Sequence, residues 1–246
     1  VAHNYVSLFS GIGGIDLGLD SAGWQCVAQV EKDAYCRRVL ARHWPGVDRH
    51  DDVRTFPAWW GKQTRPDVDL VAAGFPCQPF SKFGLMKGVE DERWGWPWTL
   101  AAVRHLRPRY VLLENVAGLL RDTEAFSTIL ADLHVVGFDA QWSTVSACSV
   151  GAPHARERLF VVAYASGGDE PMQMPVPGGV SQGRSGIGAT GGADGPFSGW
   201  LPEPEVGRVA NGIPRRLVRR PLEALGNAVV PRVAELIGRM IIEGEK

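Results

Sequence analysis

Apolar residues along the first two-thirds of the chain fall into short runs, separated by stretches with helical spacing. Asn4 to Phe9 reads as a strand that runs into a glycine-rich turn, and Gln25 to Val30 as a second strand ending at Glu31. Asp33 stands where a side chain can accept from the free N–H groups of a helix start, with Cys36, Val39, Leu40 and His43 following on one helical face. Val68 to Ala73 reads as a third strand and Tyr110 to Leu113 as a fourth, the latter ending at Glu114. Phe138 to Cys148 and Leu159 to Ala163 are later strands. Strands alternating with helices predict an α/β fold with a mostly parallel sheet, covered on both faces. Ligands of such sheets sit beyond the carboxyl ends of the strands, so Phe9, Glu31, Gly74 and Glu114 are expected along one edge.

The pattern breaks after Tyr164. Residues 165–199 hold 11 glycines, no lysine and a single aromatic residue, Phe197, so they cannot bury much surface on their own. The stretch is either a linker or a segment that orders against a partner. Regular structure is expected to resume near Pro221. Val230, Val233, Ile237, Met240 and Ile241 then form a helical stripe, with Pro231 where a first turn tolerates it.

Composition narrows the class. Hydrophobic residues make up 45% and charged residues 22%, which excludes a disordered or collagen-like chain. No apolar run reaches the roughly 18 residues of a membrane span, and no secretion signal is read at Val1 to Ser10. A cytoplasmic protein without a membrane partner is expected. Cys26, Cys36, Cys77 and Cys148 show no CxxC spacing, so neither a zinc site nor a disulfide framework is expected. A net charge of −1 argues against diffuse attraction to nucleic acid but permits a local basic groove.

Four motifs carry candidate chemistry. Phe9-Ser10-Gly11-Ile12-Gly13-Gly14 lets the backbone turn tightly and come close to a ligand, although such a loop is also an ordinary turn. Glu31 can accept hydrogen bonds from both ribose hydroxyls, and the lack of a Walker Gly-Lys-Ser/Thr points to a nucleoside without phosphates. Asp52 is either a further polar contact or a solvated turn aspartate. In Gly74-Phe75-Pro76-Cys77-Gln78-Pro79-Phe80-Ser81, the flanking prolines deny Cys77 a regular helix or central strand. A thiol at that edge can act as a thiolate nucleophile, whereas Cys26, Cys36 and Cys148 read as small buried hydrophobes. Glu114, in Glu114-Asn115-Val116, either meets solvent or is a partly buried acid able to share a proton with a ring nitrogen. Arg156 and Arg158 share one strand face and form either a clamp for an acid, base edge or phosphate or a surface ion-pair cluster.

Taken in order, Ser7-Leu8-Phe9-Ser10-Gly11-Ile12-Gly13-Gly14, Pro76-Cys77-Gln78-Pro79-Phe80-Ser81, Glu114-Asn115-Val116, Arg156-Glu157-Arg158 and Gly226-Asn227-Ala228-Val229-Val230-Pro231 form a specific set. With them the sequence resembles the DNA (cytosine-5) methyltransferases over roughly residues 4–164 and 222–243, in the compact layout of phage and mobile-element members. The resemblance implies a class I S-adenosylmethionine-dependent methyltransferase fold, Rossmann-like, with a small irregular target-recognition region. It divides the chain into a catalytic and cofactor-binding domain (1–164), a reduced recognition region (165–215) and a returning C-terminal segment (216–246). S-adenosyl-L-methionine is the implied cofactor. Phe9 and Asp52 would meet its adenine, Glu31 its ribose, and Gly11, Gly13 and Asn227 its methionine end, with Pro76 alongside and Trp98 packing nearby. Cys77 matches the family nucleophile, Glu114 the acid that holds cytosine, and Arg158 its partner.

Double-stranded DNA is the implied substrate, met by Gln78, Ser81, Arg93 and Arg156 on the catalytic domain and by Arg184, Arg208, Arg215 and Arg216 in or beside the recognition region. The setting implied is bacterial or phage-encoded, of restriction–modification type and associated with the nucleoid. Ser7 stands where the family usually has an acid, and Ala228 where it often has serine. A recognition region this short is expected to go with relaxed specificity or with help from a second protein chain or a homodimer. Other readings remain: a tRNA cytosine-5 methyltransferase of the same family, an inactive DNA-binding homologue, and a pyrimidine-nucleotide enzyme that uses the same thiolate addition. The run Pro79-Phe80-Ser81 is of the DNA-enzyme type, and the Phe9–Gly14 loop favours methyl transfer.

Overall fold

The computed structural model describes residues 3–76, 94–166 and 215–244, with the side chains of 215–219 and of Leu222 outside that description, and the described residues form seven strands and seven α-helices. The strands are β1 (His3–Leu8), β2 (Trp24–Val30), β3 (Asp48–His50), β4 (Leu70–Ala73), β5 (Tyr110–Val116), β6 (Phe138–Ser146) and β7 (Glu157–Ala165). The helices are α1 (Gly14–Ser21), α2 (Ala34–His43), α3 (Phe56–Trp60), α4 (Trp96–Leu106), α5 (Thr123–Val135), α6 (Arg215–Asn227) and α7 (Pro231–Gly244).

One sheet runs in the order β3-β2-β1-β4-β5-β7-β6. Its first five strands pair in parallel, and β7 lies antiparallel between β5 and β6. Alternation along each strand feeds two cores, as both faces are covered. Val6, Leu8, Val71 and Ala73 pack with Phe56, Leu100 and Ile129 on one face. Tyr5, Leu70 and Ala72 pack with Leu19, Val233 and Ile237 of α1 and α7 on the other. The architecture is the α/β sheet with helices on both faces that the alternation predicts.

Several boundaries differ from the sequence reading, each for a local reason. The fourth strand continues to Val116, because β7 pairs with it as far as Arg158. Glu114 therefore lies within a strand rather than after one. Helical structure in the last third begins at Arg215, six residues before Pro221, which the helix accommodates in its interior. Cys26 and Cys36 are buried as expected, but Cys148 is exposed. It sits on the 3-10 turn Ala147–Val150, whose buried residues are Ala147 and Val150, and so points outward. His43 is likewise exposed at the end of α2, leaving Cys36 and Leu40 as that helix's buried residues.

Candidate active site

The site is built at the carboxyl ends of the parallel strands, as expected for an open α/β sheet. After β1 the backbone enters the left-handed region at Phe9 (φ 55°), Gly11 (φ 56°) and Gly13 (φ 89°). Such torsions cost a side-chain-bearing residue like Phe9 on the order of 1–3 kcal/mol, so neighbouring contacts must fix the loop. Ser10 donates its N–H to the Val30 carbonyl, and the Gly13 N–H donates to the Ser10 carbonyl. The Gly11 N–H donates to Glu31 Oε2 at 2.8 Å, and the Asp33 N–H donates to Glu31 Oε1 at 2.7 Å. Glu31 thus ties the loop to the start of α2. That start is capped by Asp33, which accepts from the N–H groups of Tyr35 and Cys36. Gly14 lets the returning C-terminal segment close in, since a Cβ there would lie 2.5 Å from the Val229 carbonyl oxygen.

These elements enclose a cavity of about 890 Å³. Phe9, Gly11, Glu31, Asp52, Pro76 and Asn227 line it, as do Glu114 and Arg158. Residues singled out in the sequence, spread from the end of β1 to α6, therefore meet in one place. Gly13 is not on the cavity wall. It lies behind the loop, where a Cβ would come within 2.5 Å of the Trp44 ring. Cys77, Gln78, Ser81, Arg93, Arg184 and Arg208 lie outside the described residues, and Arg215 and Arg216 are placed in α6 by backbone alone. Pro76, one residue before Cys77, is on the wall.

Asp52 caps the 3-10 turn Val53–Thr55 and also faces the cavity. Its carboxylate accepts from the Arg54 N–H and guanidinium, whose hydrogen bonds hold its pKa down at about 2. Asp52 is thus a turn aspartate that also lies on the cavity wall.

Glu114 is the electrostatic centre of the opposite wall. It is 8% exposed, and its Oε1 pairs with Arg158 Nε at 3.1 Å. Burial pushes the carboxyl up to about 7, against the opposing pull of Arg158 and Arg156. A carboxyl in that range exchanges its proton near neutrality, as a general acid requires. Next to it, Asn115 donates from Nδ2 to the Phe75 carbonyl at 3.1 Å. This fixes the segment leading to Pro76 against β5. Arg156 faces a second, more open cavity beside Ile12, Leu17 and Pro231. Among the described residues, its Nε and one terminal nitrogen are buried without a hydrogen-bond partner.

Some cavity residues were missed in the sequence. Arg220 and Glu223 reach the wall from α6, a helix whose start is hidden by Pro221. The charge pattern Arg219-Arg220 followed by Glu223 three residues on is the signal that points to them. Trp98, expected near the ligand, lines the cavity and remains 39% exposed. Among the described residues, no group of histidine, cysteine and acidic side chains is arranged to hold a metal ion, and no helix is long and apolar enough to cross a membrane.

Residues 3–178 match the family described as C-5 cytosine-specific DNA methylase. The chain is similar to the Type II methyltransferase M2.BsuMI of Bacillus subtilis (strain 168), at 37% identity over 165 residues, covering 64% of this chain and 41% of that protein. It is also similar to the Type II methyltransferase M.BsuFI of Bacillus subtilis, at 34% identity, covering 65% of this chain and 39% of that one. The chain thus spans less than half the length of these curated relatives. Among solved structures, a Spodoptera frugiperda DNMT2 variant superposes with a TM-score of 0.58 at 23% identity, over 71% of this chain and 53% of that one, a likeness of fold.

Proposed function

The chain belongs to the C-5 cytosine-specific DNA methylase family, and from that premise we propose that it transfers a methyl group from S-adenosylmethionine to C5 of a cytosine flipped out of double-stranded DNA, through a covalent adduct between Cys77 and C6. One observation carries the reading. A single cavity joins a glycine loop locked to Glu31 with a buried acid of raised pKa paired to an arginine.

The residues present fit the cofactor. Glu31 uses one lone-pair position on each oxygen for Gly11 and Asp33, and a carboxylate offers about four, so acceptors remain for two ribose hydroxyls. Phe9 and Trp98 supply apolar walls for a purine, and Asn227 closes the end nearest the glycine loop. When bound, S-adenosylmethionine supplies an electrophilic methyl group on a sulfonium.

The chain's own groups prepare the acceptor. Cytosine C5 is a poor nucleophile until a thiolate adds at C6, and Cys77 follows directly on the wall residue Pro76. The addition breaks the C5–C6 double bond and pushes its electron pair through the ring toward N3. Glu114, protonated, donates to N3 and disperses that charge. Arg158 holds the Glu114 carboxyl in place and orients the base. After methylation the C5 proton passes to a water molecule, its bonding pair re-forms the C5–C6 double bond as the Cys77 sulfur leaves as thiolate, and N3 returns its proton to Glu114. The base must be extruded first, at a cost of a few kcal/mol, because C5 and C6 are covered within the stack.

Residues 165–215 lie where the family carries target recognition, and we assign target choice to them, with Arg184, Arg208, Arg215 and Arg216 as DNA contacts beside Gln78, Ser81, Arg93 and Arg156. Their small number is consistent with a short site or with further contacts from a second chain or homodimer. The test is methyl transfer from tritiated S-adenosylmethionine to duplex DNA, with bisulfite sequencing of the product and a tRNA transcript in parallel. Label in cytosine C5 of DNA is the expected result, and label confined to RNA, or none, overturns the proposal.

The cofactor half of the reading has its own test. Glu31→Ala is expected to weaken S-adenosylmethionine binding by at least about 100-fold, since two charge-assisted hydrogen bonds of about 1.5–3 kcal/mol each are lost. The Gly11 N–H also loses its acceptor. Isothermal titration calorimetry giving an unchanged Kd would remove Glu31 from the ribose site.

A further inference from the structure

Directly behind the cavity loop lies a polar cluster that the reaction described above does not use. Asp16, in the first turn of α1, is fully buried. Its Oδ2 accepts from the Ser7 hydroxyl on β1 at 3.1 Å, and its Oδ1 accepts from Gln29 Nε2 on β2 at 2.9 Å. Arg49, on β3, donates from Nε to the Gln29 side-chain oxygen and extends the chain of bonds across the sheet. Both partners of Asp16 adjoin the bonds that hold the loop. The Ser7 carbonyl accepts from the Ser10 hydroxyl, and Val30, next to Gln29, accepts from the Ser10 N–H.

We propose that Asp16 is a positioning residue for the cofactor loop: its carboxylate ties Ser7 and Gln29 together across β1 and β2, and so sets the Phe9–Gly13 loop against Glu31 in the conformation that takes the methyl donor. The inference rests on the assignment of the cavity to S-adenosylmethionine. Both neighbours donate to Asp16, so the network as built favours the ionised carboxylate. A proton on either oxygen weakens that oxygen as an acceptor and needs an acceptor of its own. Gln29 Nε2 cannot accept it, and Ser7 can do so only by turning its own hydroxyl proton elsewhere.

Other titratable groups surround the carboxylate. Tyr5 of β1 donates to the Asp16 carbonyl and to Asp20. The Cys26 thiol of β2 approaches Oδ1 at 3.8 Å. Burial raises both the Tyr5 hydroxyl and the Cys26 thiol, so neither ionises near neutrality. Asp20, on the same helix, repels the charge, whereas the Arg49 guanidinium attracts it. Burial pushes the Asp16 carboxyl up to about 6, with the hydrogen bonds from Gln29 and Ser7 opposing the rise. The tie therefore loosens as pH falls through that value, and affinity for the methyl donor falls with it.

The experiment is calorimetric titration of the full chain with S-adenosylmethionine between about pH 5 and pH 8, for the native protein, Asp16→Asn and Ser7→Ala. Native affinity is expected to drop about tenfold from pH 7.5 to pH 5, the limit for loss of one required ionisation over one unit below its pKa. Asp16→Asn, which places an amide donor where the carboxylate accepted, is expected to bind at least about fivefold more weakly at pH 7.5 and to lose that pH dependence. A residue that only filled space would lower thermal stability and leave the profile intact. Ser7→Ala removes one of the two bonds of the tie, a bond that also favours the charged form, so binding at pH 8 is expected to weaken and the midpoint of what remains to move to higher pH. Asp16→Asn keeping the native profile overturns the proposal, and so does an unmoved midpoint in Ser7→Ala, which decides the matter if Asp16→Asn does not fold. No binding by the native chain at pH 8 would overturn the cofactor assignment, and this inference with it.

Discussion

Cys77→Ala is expected to abolish methyl transfer, by at least about 10⁴-fold, while leaving affinity for S-adenosylmethionine within about twofold of native. The two effects separate because the groups are distinct. The proposed cofactor cradle is made by the Phe9–Gly13 loop, Glu31 and the Val229 backbone, which the contacts among the described residues hold together. In the proposed mechanism the methyl acceptor, by contrast, depends wholly on the thiolate. Without an adduct at C6 the ring has no enamine character, and orientation by Glu114 and Arg158 has nothing to act on. A filter-binding assay with tritiated cofactor measures the first quantity and calorimetry the second. Near-normal turnover would dispose of covalent catalysis. A sharper version uses the native chain with 5-fluorocytosine in the duplex. Fluorine cannot leave C5 as a cation, so the adduct should persist and survive denaturing electrophoresis. An active enzyme that left no such complex would contradict the mechanism even if Cys77→Ala were inert.

The parts of this site that can be read in the sequence are those fixed by local chemistry. A glycine loop after a strand, an acid ending the next strand and a strand running into Gly74-Phe75-Pro76 are contiguous patterns, and strand alternation places them at one edge. Phe9, Gly11, Glu31, Pro76 and Glu114 meet there. The pairing of Glu114 with Arg158 is a different case, because it depends on the hand of β7. Alternating strands and helices suggest a parallel neighbour. The antiparallel return of β7 instead sets Arg158 opposite Val116. Glu114 lies two residues back on the same face, a diagonal of about 7–8 Å between backbones that two long side chains can span. Nothing in the local pattern of either strand specifies that register. Asp16 was hidden for a related reason. Its partners, Ser7 and Gln29, are on two different strands, and an acid early in a helix ordinarily reads as a favourable charge near the positive end of the helix dipole. The three-residue β3 is too short to carry an alternation, and α6 was masked by its internal proline.

Glu114→Gln is expected to lower the rate of methyl transfer by about 10²–10⁴-fold, the range for loss of a positioned general acid, with little change in cofactor affinity. Glutamine keeps the shape, and its amide can still donate to cytosine N3, but it cannot supply a proton as charge develops there. The pH dependence separates this role from simple packing. The Glu114 carboxyl is raised to about 7, first by burial, with Arg158 and Arg156 pulling the other way. Its useful form is the protonated one, present below that value and lost as pH rises through it. Single-turnover rates of the native chain should therefore fall about tenfold per unit well above pH 7, where an ionised carboxylate would face the N3 lone pair. Glu114→Gln has no such proton to lose, so its much lower rate should show no descending limb over the same range. Arg158→Leu supplies the complementary perturbation. Removing the Nε contact at 3.1 Å withdraws a charge that favours the ionised form, so the limb should move to higher pH even as the rate drops. A descending limb that persisted unchanged in Glu114→Gln would assign it to another group and leave Glu114 as a structural acid.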